Sequence, residues 1–107
     1  MNLGLAIKTV RKKLGVSQLD LALLCDMSQT YLSQIETEAK RPGSKTLKKI
    51  CDALQIPEGI VYVLAMEDIH IPEKRKRVYS MLFPMIREMA LQMVSTEKVL
   101  EDEPVFY

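Results

Sequence analysis

The chain has 107 residues and a mass of 12.2 kDa, the size of one domain with a short appended element, since single domains cluster at about 100 to 150 residues. Hydrophobic residues make up 48% and charged residues 27%, with 4 Gly and 5 Pro, which excludes a disordered or collagen-like chain. The net charge of +1 hides an asymmetry: residues 1–57 carry nine Lys and Arg against five Asp and Glu, and residues 58–107 carry six against nine. A nucleic-acid module followed by something else would show this distribution.

The longest apolar run, Ile60 to Met66, is far shorter than the ~18 residues of a membrane span, and no basic-then-apolar leader precedes it. Cys25 and Cys51 lie in apolar segments with no CxxC or His neighbour, which argues against a disulfide framework or a zinc site. These features predict a cytoplasmic protein without metal or cofactor. With one histidine, His70, and no carboxylate pair, Ser-His pairing or Gly-rich phosphate loop, no enzyme is expected.

Leu3, Ile7, Val10 and Leu14 recur at helical spacing, and no segment alternates like a strand, so the fold class predicted is all-α. The first helix runs from about Leu3 to Leu14 and stops at Gly15. Ser17-Gln18-Leu19-Asp20 has the form of a capping box opening a second helix, with Leu21, Ala22, Leu24 and Cys25 as its buried side. Ser28 caps a third, to about Thr37. After the turn Arg41-Pro42-Gly43-Ser44, a fourth helix buries Leu47, Ile50, Cys51 and Leu54. Pro57 suits the first turn of a fifth, through about Met66. Residues 68–72 read as a linker, residues 73–95 as an amphipathic helix interrupted by Pro84, which kinks or divides it, and residues 96–107 as a frayed acidic tail.

On the third helix Leu32 and Ile35 share one side, while Thr30, Ser33, Gln34 and Thr37 fall on the other. That outer stripe is polar and uncharged. Hydroxyls and carboxamides hydrogen-bond base edges, and Gln29, at the exposed start, suits the adenine N6/N7 pairing. A plain solvent-facing helix more often carries Lys and Glu pairs.

From Ile7 to Met66 the chain resembles the Cro/CI-type helix-turn-helix regulators, the XRE family. The motifs are Ile7-Lys8-x-Val10-Arg11, Gly15-Val16-Ser17-Gln18-x-x-Leu21-Ala22, Ser28-x-x-Tyr31-Leu32-Ser33-x-Ile35-Glu36, Pro42, and Thr46-Leu47-x-x-Ile50-x-x-Ala53-Leu54. The resemblance implies a five-helix lambda-repressor-like domain over residues 1–67, plus the C-terminal helix. It also implies a transcriptional regulator, most often a repressor, that binds double-stranded DNA as a dimer on a pseudo-palindromic operator. By that likeness Gln29, Thr30, Ser33 and Gln34 contact bases. Gln18, Thr37, Lys40 and Arg41 contact phosphates; Tyr31 either joins them or covers the edge of the core. Arg11 pairs with Glu36 as a structural ion pair. Cys25 and Cys51 match small buried positions, which makes them inert core thiols. Asp26 and Glu38 stand where the family usually has Gly; Glu is poorly suited to a left-handed backbone and adds negative charge near the expected phosphate side.

Met81, Met85, Met89 and Met93 recur every four residues, flanked by Val78, Leu82, Ile86 and Val94. A stripe this wide must fold back or meet a partner. Val78, Leu82, Met85, Ile86, Met89 and Met93 are read as a homodimer seam. The alternative is a protein-interaction regulator, of antitoxin or developmental-switch type, whose Met-rich helix binds another protein.

Overall fold

In the computed structural model, which describes residues 1–68 and 70–94, the first helix, α1 (Leu3–Lys13), starts at Asn2, whose side-chain oxygen accepts the Leu5 amide at 2.8 Å. It ends ahead of Gly15, which is left-handed at φ 71° and needs no strain to be so. Ser17 Oγ accepts the Asp20 amide at 3.0 Å and opens α2 (Gln18–Leu24). The Asp20 carboxylate does not return to the Ser17 amide, as its side chain is one methylene shorter than the usual Glu. Ser28 Oγ likewise accepts the Tyr31 amide at 3.0 Å and opens α3 (Gln29–Glu36).

Helix α4 (Ser44–Leu54) begins at Gly43 without a side-chain cap and ends at Gln55, left-handed at φ 58°. Helix α5 (Glu58–Leu64) is capped by Pro57, which therefore lies just outside the helix rather than in its first turn. It is also shorter than expected. The chain tightens into a 3₁₀ turn over Ala65–Asp68, so the start of the anticipated linker is helical. Helix α6 (Glu73–Met93) runs through Pro84 as one element; the proline does not divide it.

The core explains the order of packing. Ile7, Val10, Leu21, Leu32, Ile35, Leu47, Ile50 and Val61 are essentially sealed from solvent, and burial of each such side chain contributes about 1.5–3 kcal/mol. Leu24 is not among them: it is 65% exposed. At about 100° per residue Leu21, Cys25 and Ala22 cover one arc, and Leu24 falls about 60° outside it. Helix α6 docks back on this body. Ala90 and Val94 are buried in the same core, Leu91 packs against it, and the Tyr79 hydroxyl donates to the Met66 carbonyl at 2.8 Å.

Among the described residues the architecture is all-α, five helices around one core plus a C-terminal helix laid along α5. No helix of the described residues is long and apolar enough to cross a membrane.

Candidate nucleic-acid interface

The site is built on a buried charge pair. Arg11, on α1, donates from Nε to Glu36 Oε2 at 2.7 Å and from Nη2 to Glu36 Oε1 at 3.0 Å, a two-pronged geometry that fixes direction as well as distance. Both residues are buried, at 7% and 6% exposure. A third guanidinium donor reaches the Val16 carbonyl at 2.9 Å. Arg11 thus fastens the end of α3 to α1 and to the chain entering α2.

From Glu36 the bonding runs outward. Gln18 donates from Nε2 to Glu36 Oε1 at 3.2 Å, and its Oε1 accepts from Gln29 Nε2 at 3.3 Å. The first residues of α2 and α3 are therefore linked, and the link is anchored in the core. Gln18, Gln29, Thr30, Ser33 and Gln34 together line one shallow, open concavity. Gln29 and Thr30 are exposed, while Gln18, Ser33 and Gln34 are half-buried. All five are uncharged. What the surface offers a ligand is amides and hydroxyls in fixed relative positions, the chemistry of base-edge recognition.

The turn between α2 and α3 and the loop after α3 frame this surface. Asp26 is left-handed at φ 52° and Glu38 at φ 67°, so both adopt the conformation a Gly would take there. The Glu38 carboxylate accepts the Gly4 amide at 3.3 Å. This places its charge at the positive end of α1. Gly4 is needed for the approach: a Cβ there would collide with the Ile35 carbonyl oxygen. Neither residue stood out in the sequence as a pair.

The expected phosphate-side residues are distributed along the same loop. Thr37, Lys40 and Arg41 are exposed, and the Lys40 ammonium sits 5.6 Å from the centre of the Tyr31 ring. Tyr31 is half-buried against the core, so it covers the core edge whether or not its hydroxyl also meets DNA. The Thr37 hydroxyl donates to the Ser33 carbonyl at 3.0 Å, leaving only its oxygen as an acceptor. The two thiols lie elsewhere. Cys25 and Cys51 are free and buried; burial raises both above 9.0, Cys51 to about 11, where Glu58 and Asp52 add to the effect, while Lys49 opposes it at Cys25.

Residues 7–61 match the helix-turn-helix family. Over 72 residues the chain is 36% identical to the ImmF control region 10 kDa protein of Bacillus phage phi105, covering 67% of this chain and 77% of that protein. It is 36% identical over 56 residues to the immunity repressor protein of the same phage, covering 52% of this chain but only 39% of that protein. A third relative, the transcriptional regulator ClgR of Mycobacterium tuberculosis, is 32% identical over 74 residues, 69% of this chain and 66% of its own length. The matched segment contains α2, α3 and the Arg11–Glu36 pair, and the chain belongs to the Cro/CI-type (XRE) helix-turn-helix family of transcriptional regulators, DNA-binding proteins rather than enzymes.

Proposed function

We propose that the chain is a cytoplasmic repressor that occupies a pseudo-palindromic operator as a homodimer, with α3 in the major groove. The observation that carries this reading is the concavity lined by Gln18, Gln29, Thr30, Ser33 and Gln34, in which a bonded chain from buried Glu36 holds the first two in place. In this reading Gln29, Thr30, Ser33 and Gln34 read bases. Gln18, Tyr31, Thr37, Lys40 and Arg41 hold the sugar-phosphate backbone and so set the register. The likeness to a phage immunity repressor supports repression as the outcome.

Dimerisation is assigned to α6. Val78, Leu82, Met85, Ile86, Met89 and Met93 are 48–68% exposed although α6 is docked on the domain, with Leu82 and Ile86 at the edge of that contact, where they line a groove with Val63 and Met66. A dimer would set two recognition helices about 34 Å apart, one turn of the duplex. The same exposed stripe favours the second reading, a regulator whose α6 binds a different protein.

Selection of bound sequences from a random duplex pool at about 150 mM salt tests the proposal, because sequence-specific and counterion-driven binding separate there. An enriched pseudo-palindrome with half-sites about 10 bp apart is expected. Absence of enrichment would overturn operator reading and favour the protein partner.

A further inference from the structure

Resting on the dimeric reading above, we infer that the two copies of α6 pair antiparallel, with the two-fold axis crossing between Leu82 and Met85. Val78, Leu82, Met85 and Met89 follow one another at spacings of four, three and four residues, and all are 48–65% exposed. That is the spacing of a two-helix seam. It also reads the same from either end. A reversed copy therefore meets it in register, Val78 against the partner subunit's Met89 and Leu82 against the partner subunit's Met85.

A neighbouring side of α6 is already committed. Ala90 and Val94 are buried in the domain, and Tyr79 bonds to Met66 and stacks on Phe83 at 4.9 Å. Of the exposed surface that remains, the seam side is the apolar one, while the side that carries Arg77, Ser80 and Glu88 is polar. Exposed Pro84 is level with the midpoint of the seam but, at about 100° per residue, lies about 100° round the helix from Met85, so the apolar row passes it unbroken. Met85, Met89 and the adjoining Met81 are exposed, and flexible thioethers fill irregular gaps between helices.

Charge selects the direction. Lys74 and Arg75 stand one turn before Val78 on the seam side, where they line a groove with Ile71, Pro72, Val78 and Tyr79. In a parallel pair these cations would lie against their own copies, and like charges set face to face repel. Reversed, they lie beside the partner subunit's uncharged Gln92 and Met93. The chain that follows those residues carries Glu97, Glu101, Asp102 and Glu103 against Lys98, so its net charge is of opposite sign.

The test is disulfide capture between full-length chains carrying Val78→Cys and Met89→Cys, oxidised separately and after being refolded together. The two positions are eleven residues apart, about 16 Å along a helix, beyond the reach of a disulfide. Cys25 and Cys51 are buried, so the unmodified chain sets the background. Antiparallel pairing predicts covalent dimer in the mixture at least ~5-fold above either variant alone, within the limit set by loss of strain-free geometry. Bridging of each variant with itself would overturn the inference in favour of a parallel pair. Light scattering on the unmodified chain separates the two levels: a monomer removes the dimeric reading itself, while a dimer that gives no mixed bridge overturns the orientation alone. Should Val78→Cys impair dimerisation, Lys74→Cys with Met93→Cys replaces exposed positions and carries the same prediction.

Discussion

The Glu38 carboxylate accepts the amide of Gly4, 34 residues away in sequence, at 3.3 Å, and ties the chain leaving α3 to the start of α1. Two residues with unfavourable local behaviour are explained by this one bond. Glu38 occupies a left-handed backbone at φ 67°, and Gly4 sits where any side chain would strike the Ile35 carbonyl. Glu38→Ala retains the left-handed strain and loses the cap, so it is expected to destabilise the fold by about 1 kcal/mol. Gly4→Ala forces α1 away from α3 and should remove about 1–3 kcal/mol. Urea unfolding of both variants checks this, and a neutral Gly4→Ala would contradict the close approach.

Removing one member of the buried Arg11–Glu36 pair leaves the other charge without compensation. Glu36→Gln or Arg11→Met should each destabilise by about 3–5 kcal/mol. Replacing both with apolar residues of similar volume, Arg11→Met with Glu36→Leu, should be markedly milder than either single change. Equal losses for the single and double variants would mean that packing rather than charge dominates at this position.

Alkaline pH should weaken the fold through Cys51. Burial holds its thiol protonated up to about 11 in the folded state, against 9.0 in the unfolded chain. The folded state therefore binds the proton more tightly, and the contribution is fully present below pH 9 and is lost as pH rises through 9 toward 11. Cys51→Ala should flatten that part of the stability profile, as measured by thermal unfolding across the range. An unchanged slope would assign the alkaline loss to other groups.

Aspartate at the exposed methionines addresses α6 directly. Met85→Asp with Met89→Asp puts charges into the proposed seam without touching the core, since both residues are exposed. Monomers by light scattering, with unfolding little changed, are expected. Persistent dimers would place the contact elsewhere.

Much of the site was legible in the sequence because its cues are local. Ser17 and Ser28 announce their helices by the reach of a short hydroxyl to an amide three residues on, and the polar stripe of α3 follows from helical spacing alone. The Arg11–Glu36 bond needed a family resemblance, since 25 residues separate the partners. Nothing local marks Gln55 as left-handed, and nothing at all marks Glu38 as a second acceptor, beside Asn2, at the start of α1, because that bond exists only once α1 and α3 are packed. Leu24 misled for the opposite reason. Its hydrophobicity suggested burial, but α2 has only seven residues and a narrow inward arc. Pro84 also misled in part: the helix continues through it, since one absent bond does not undo the turns on either side. The expected tail, residues 96–107, lies outside the described residues.

The measurement that bears most directly on recognition by α3 is the affinity of Gln29→Ala and Gln34→Ala for a selected operator and for random duplex, side by side at one salt concentration. Each substitution is expected to weaken operator binding by about 1–3 kcal/mol and to leave random-duplex binding nearly unchanged, because base contacts discriminate and phosphate contacts do not. Equal weakening on both duplexes would contradict the assignment of these two glutamines to base edges.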